Sequence, residues 1–155
     1  MGAPAGKPAQ SPARKTCSPS SVTSTTSPET IDHPNLVSIK GTLGDGRVVS
    51  VSGTYVPGAR ATERLTELEG FPLELDADGV LLFFRYSDRP GVVGAIGTLL
   101  GEAGVNIAAM QVARREAGGE ALMTLTVDNK VEPVLLAGAA DAIGATAASA
   151  VDLTD

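Results

Sequence analysis

Tyr86-Ser87-Asp88-Arg89-Pro90-Gly91-Val92-Val93-Gly94, continuing to Gly104-Val105-Asn106-Ile107, is the stretch that decides the fold. It follows Val80-Leu81-Leu82-Phe83-Phe84, an unbroken apolar run of the kind expected of a strand buried on both faces. Asp88 can cap a helix, Pro90 suits a first turn, and Val92, Val93, Ile96, Leu99 and Leu100 recur at helical spacing. Gly104 suits the position just past a helix end, where a left-handed residue stops the turn. The stretch therefore predicts a strand, a helix over 90–103, and a second strand opened by Asn106. This layout brings a bare helix N-terminus, a carboxylate and a carboxamide near one another. Such a set suits a small zwitterion better than it suits a reaction.

Downstream, Asn106 to Arg114 and Glu120 to Asp128 read as strands joined across Glu116-Ala117-Gly118-Gly119. Glu132 to Ile143 carries an apolar helical stripe, and Ala147 to Leu153 reads as a closing strand. The order β-α-β-β-α-β is the ferredoxin-like α+β arrangement, an antiparallel sheet with two helices on one face. Its other face or an edge needs a partner, which favours a dimer.

Upstream, Leu36 to Leu43 and Arg47 to Val56 flank Gly44-Asp45-Gly46, a strong turn signal, and the second run alternates Val with Ser. They predict a hairpin with one buried face. Glu63 to Leu68 and Phe71 to Leu75, separated by Glu69-Gly70, predict a second hairpin, although Ala59 to Leu68 also permits an opening helical turn. The segment 34–77 is small for an independent domain. Residues 1–33, rich in Pro, Ser, Thr, Ala and Gly, bury too little apolar area to offset the entropy of ordering, so disorder is expected there.

Composition removes several function classes. The net charge is −6 and aromatic residues are 3%, so the chain repels phosphate backbones and offers no stacking platform for nucleic acid. The single cysteine, Cys17, excludes an internal disulfide framework and a thiolate zinc cluster. Glu67, Glu69, Glu74 and Asp76 form an acidic patch without metal-ligand spacing, so no metal is expected. No apolar run approaches the ~20 residues of a membrane helix, and the start lacks a secretory apolar core, so a cytoplasmic location is expected. His33 has no catalytic partner nearby in sequence. Gly91, Gly94, Gly97 and Gly101 follow a strand, but their spacing is not that of a dinucleotide fingerprint.

The turn Asp88-Arg89-Pro90-Gly91-Val92 and the strand start Gly104-Val105-Asn106-Ile107 make residues 78–155 resemble an ACT domain, an amino-acid-binding regulatory module. With Val37-Ser38-Ile39-Lys40-Gly41-Thr42-Leu43 and Val49-Ser50-Val51-Ser52-Gly53-Thr54, the chain resembles the C-terminal end of long-type D-3-phosphoglycerate dehydrogenases of serine biosynthesis, in their actinobacterial form. On this resemblance, 34–77 corresponds to the latter half of the family's intervening domain. Its second hairpin carries Phe71, Pro72 and Asp76 where some members have basic residues for an anionic effector. The resemblance implies L-serine bound between paired ACT domains of a homodimer. Its contacts fall on Tyr86, Asp88 and Asn106, with the backbone from Arg89 through Pro90 and Gly91 to Val92 lining the pocket. It also implies that NAD and the catalytic residues belong to a catalytic half that this chain lacks.

Three readings follow. The chain is a serine-binding regulatory region that works beside a dehydrogenase catalytic domain, a free-standing ACT protein acting on another enzyme in trans, or a dimerisation remnant. Plainer roles stand beside the sharp ones. Asp88 is also readable as a helix cap, Asn106 as a residue tolerant of an awkward turn, and Tyr86 as an ordinary sheet residue. Arg114 and Arg115 are expected to be solvated.

Overall fold

The computed structural model describes residues 21–26, 35–58 and 61–154. The described residues form two antiparallel sheets and two helices. The first runs β1-β2-β3-β4-β5, from β1 (Ser21–Thr26), β2 (Val37–Thr42), β3 (Val48–Val56), β4 (Thr62–Leu68) and β5 (Phe71–Asp76). The second has the order β7-β8-β6-β9, from β6 (Val80–Ser87), β7 (Ile107–Arg114), β8 (Glu120–Val127) and β9 (Ala147–Asp152). Helices α1 (Val92–Glu102) and α2 (Pro133–Ile143) connect its strands. The order β6-α1-β7-β8-α2-β9 is the ferredoxin-like α+β fold.

The apolar run in β6 is explained by what lies on its two faces. Val80, Leu82, Phe84 and Tyr86 join Val92, Ile96 and Leu100 of α1 and Ala139 and Ile143 of α2 in the main core. Leu81 and Phe83 point the other way, into a second cluster with Ala113, Leu122 and Phe71, Leu73 and Leu75 of β5. Period-two alternation thus sends one strand's side chains into two cores, and no polar residue fits between. The outer face of the second sheet is therefore covered in part by the chain's own β4–β5 hairpin. This amends the expectation that this face waits for a partner molecule, and it leaves β7 and β9 as the edges.

Helix α1 begins later than its sequence suggests. Its N-cap is Gly91, held at φ 90, and no side chain caps it. Pro90 stands before the helix, and Asp88 is engaged elsewhere, so neither the first-turn reading of Pro90 nor the capping reading of Asp88 holds. The C-terminal end does follow expectation. Gly104 at φ 73 donates its N–H to Gly101 O, and Val105 to Leu100 O, closing the helix with the paired bonds of a Schellman motif.

In the first sheet, one face is polar and the other apolar. Contrary to the expected buried apolar face, the polar side is the covered one: Ser52 and Thr54 are buried while Val37 and Ile39 are exposed. Ser38 bonds Ser52 at 2.8 Å, and Ser50 and Ser52 donate to Glu67 at 2.7 and 2.9 Å. That row accounts for the Val/Ser alternation. Strand β4 starts at Thr62, while Ala59 and Arg60, where a helical turn was allowed, lie outside the described residues. Within the segment expected to be disordered, Ser21–Thr26 instead pairs antiparallel with β2, from Ser21 opposite Thr42 to Thr26 opposite Val37. The sheet edge supplies backbone partners that composition does not reveal. Cys17 and His33 lie outside the described residues.

Burial alone would raise the Glu67 carboxyl, but the Gly70 N–H and the Ser50 and Ser52 hydroxyls donate to it and hold it below its ordinary value. A depressed folded pKa contributes stability that is full above the unfolded value of about 4.3. That contribution is lost as pH falls through the lower folded value. Glu67→Gln is expected to reduce stability at pH 7 and to flatten the acid limb below about pH 4. Urea denaturation between pH 3 and 7 checks this, and parallel wild-type and variant curves would contradict it.

Candidate functional site

A cavity of about 400 Å³ opens where β6 hands over to α1. Its wall runs from Tyr86 and Asp88 through Arg89, Pro90, Gly91, Val92 and Val93, and is completed by Val112 and Arg114 of β7. Gly91 shapes the entrance, since its positive φ turns the chain sharply into α1 and leaves the first-turn N–H groups without a side-chain cap. Those N–H groups carry the positive end of the helix dipole, a natural seat for a carboxylate.

Each predicted residue has a definite place. Tyr86 is 2% exposed, its ring within the main core, and burial followed by the nearby Asp88 charge pushes its hydroxyl pKa up. It stays protonated and can donate. The Asp88 side chain is 19% exposed. Its Oδ2 accepts from Arg114 Nη1 at 3.2 Å and from the Gly118 N–H at 3.3 Å, while its own N–H donates to Gly119 O at 2.7 Å. Arg89 lines the cavity and donates from Nη2 to Ile143 O at 2.8 Å, satisfying a carbonyl at the negative end of α2. That contact pins the 88–91 turn against the second helix.

Asn106 is not with the others. Its Nδ2 donates to Asp128 Oδ2 at 2.7 Å, beside the end of the sheet where Val80 faces Val127. Asp88 follows the opposite end, where Ser87 faces Glu120. The two ends of that ladder lie roughly 23 Å apart at the usual strand rise. Within one chain, then, the expected meeting of aspartate and asparagine does not occur.

Arg114 is solvated as expected, its side chain 60% exposed, and it also forms part of the wall. In register, Arg114 faces Ala121, which in turn faces Tyr86, so the three stand in one row on the helix side of the sheet. Counting residues through the 115–119 turn would have paired Arg114 with Ala121, but only the β6–β8 pairing brings Tyr86 into the row. Arg115, its neighbour, points to the opposite side. It stacks over the Phe71 ring at 4.7 Å and donates to Glu69 O at 2.9 Å. Arg85, next to Tyr86, pairs with the Glu69 carboxylate there.

Among the described residues no group of three or more His, Cys, Asp or Glu side chains could hold a metal ion. No helix among them is long and apolar enough to cross a membrane.

Residues 80–137 match the ACT domain family. The chain is 40% identical over 100 residues to the D-3-phosphoglycerate dehydrogenase of Bacillus subtilis, a match covering 64% of this chain and 18% of that protein. It is 37% identical over 126 residues to the enzyme of the same name from Mycobacterium bovis, covering 81% of this chain and 24% of that protein. The chain thus spans about a quarter or less of these dehydrogenases, in their C-terminal region. It is also 30% identical over 105 residues to the probable L-serine dehydratase beta chain of B. subtilis, covering 67% of this chain and 46% of that protein.

Proposed function

With residues 80–137 an ACT domain, we propose that this chain is a regulatory region that binds L-serine in the cavity between β6 and α1. In a longer protein it would act beside a phosphoglycerate dehydrogenase catalytic domain, and it carries out no dehydrogenase chemistry itself. The carrying observation is the cavity's charge pattern: an uncapped helix N-terminus and the Asp88 carboxylate face the same small space. A zwitterion satisfies both at once, its carboxylate on the helix N–H groups and its ammonium on Asp88. The Tyr86 and Asp88 positions carry the ligand contacts in this reading, and Arg89, Pro90, Gly91 and Val92 supply backbone. A few charge-assisted hydrogen bonds of ~1.5–3 kcal/mol each, less the cost of ordering, correspond to micromolar to millimolar affinity.

Asn106 enters through a homodimer. Strand β7 is an edge of the ACT sheet. Two copies joined edge to edge about a twofold axis pair their β7 strands antiparallel, because the symmetry reverses strand direction. Asn106 of the partner subunit then comes to the Arg114 end of this chain, beside Asp88. Its carboxamide can both donate and accept, which suits the serine carboxylate or hydroxyl.

Isothermal titration calorimetry with L-serine, D-serine and glycine tests the reading on the 155-residue chain. Saturable L-serine binding is expected, with weaker or absent heat from the other two. A folded chain that binds no amino acid would leave dimerisation as its role. A second reading has the chain acting in trans on a separate enzyme. It is favoured by the similarity to an L-serine dehydratase component that is, by its name, one chain of a multi-chain enzyme. Co-purification with an enzyme lacking an ACT domain would select it.

A further inference from the structure

We propose that Arg114 is the specificity-determining residue of the cavity, the side chain that holds the ligand's carboxylate and restricts the site to α-amino acids with a free carboxyl group. This assignment rests on the amino-acid-binding reading above and adds a residue that neither the turn motif nor the helix terminus supplies.

Arg114 closes the β7 side of a cavity whose opposite wall is the start of α1. Its guanidinium has five N–H donors in a planar fork. The structure shows one of its nitrogens on Asp88, at 3.2 Å, and the side chain is 60% exposed. Most of its donors are therefore free for a ligand, and little has to be desolvated to reach them. A carboxylate is the group that a guanidinium fork matches in two parallel bonds, which a point charge cannot do.

Asp88 completes the logic. Both of its side-chain contacts fall on Oδ2, which leaves Oδ1 available to an ammonium. Without ligand, Arg114 and Asp88 neutralise each other across the mouth of the cavity. An α-amino acid carries the complementary pair of charges. It can insert with its carboxylate on Arg114 and the α1 N-terminus, and its ammonium on Asp88. An amine without the carboxylate would compete with Arg114 for Asp88 and offer Arg114 nothing in return. A carboxylate without the amine would leave Asp88 facing a like charge. Selection is thus for both ends together. The ligand side chain meets Val93 and Val112, 47% and 37% exposed, which favour a small side chain and disfavour a second charge.

The test compares L-serine with L-serinamide at about pH 6, below the α-amino pKa of about 7.7, where the amide keeps its ammonium and hydroxyl but has a neutral carboxamide. Each is titrated into the wild-type chain, Arg114→Gln and Arg114→Lys, with dissociation constants read by calorimetry or ligand-observed NMR. The wild type is expected to prefer L-serine by about 10- to 100-fold, the range for charged hydrogen bonds. In Arg114→Gln that preference should fall toward unity, with L-serine weakened and L-serinamide unchanged or strengthened, because Arg114 no longer competes for Asp88. Arg114→Lys should restore part of it, because a point charge replaces the fork. An unchanged preference in Arg114→Gln would overturn the assignment. Equal weakening of both ligands would also overturn it, since Arg114 would then only position Asp88. A wild type that binds no α-amino acid would overturn the binding reading itself, a result distinct from either. Because Arg114 is exposed, both variants are expected to fold, and an unchanged thermal midpoint checks this.

Discussion

Phe71→Ala is expected to lower stability by about 3–5 kcal/mol, the range for removing a buried Phe side chain from a core. Phe71 is fully buried in the cluster that joins the two sheets, against Leu81, Phe83, Ala113 and Leu122, with Arg115 stacked on its ring. Truncation leaves a cavity there and removes the cation–π contact. The main core between sheet and helices contains no atom of Phe71, so the damage is expected to be directional. Hydrogen exchange should show lost protection in β4 and β5 while the amides of β6 and β8 keep theirs. Uniform loss across both sheets would mean that they unfold as one cooperative unit.

Asp88→Ala is expected to weaken L-serine binding by about 10- to 150-fold, as the loss of one charge-assisted hydrogen bond to the ligand ammonium implies. Stability should stay within about 0.5 kcal/mol of wild type. The reason is structural: the N-cap of α1 is Gly91, so Asp88 takes no cap with it, and its partner Arg114 is exposed to water. Titration calorimetry paired with thermal unfolding separates the two effects. A variant that binds as tightly as wild type would remove Asp88 from the site, and a large drop in melting temperature would reveal a structural role instead.

Much of the fold was legible in the chain because its signals are local. The unbroken run Val80 to Phe84, the helical spacing of Val92, Ile96 and Leu100, and Gly104 as a helix stop each depend on residues within one or two turns of one another. The Val/Ser alternation of 48–52 likewise reports a sheet with one polar and one apolar face, but not which of them is buried, since Ser52 and Thr54 are the covered side chains. The start of α1 was less legible. Asp88 and Pro90 both look like helix-start residues, yet the Asp88 carboxylate accepts from Arg114 and the Gly118 N–H, and the N-cap is Gly91 at positive φ.

The site divides in the same way. The turn from Tyr86 to Val92 is contiguous, so its members reach the cavity together whatever the rest of the chain does. Arg114 and Asn106 do not share that protection, because they lie at opposite ends of β7 and only strand register decides which end meets Asp88. Register brings in Arg114 and sets Asn106 apart, where only a second copy could return it. The sequence by itself determined the order of strands and helices from β2 onward and the chemistry of the 86–92 turn, since hydrophobic periodicity and turn preference act over a few residues, whereas β1 depends on the edge of β2. Tertiary structure alone decided which distant side chain completes the cavity and that β4–β5 covers the outer face of the ACT sheet. Strand pairing and the burial of Phe71, Leu73 and Leu75 join residues whose spacing along the chain carries no signal.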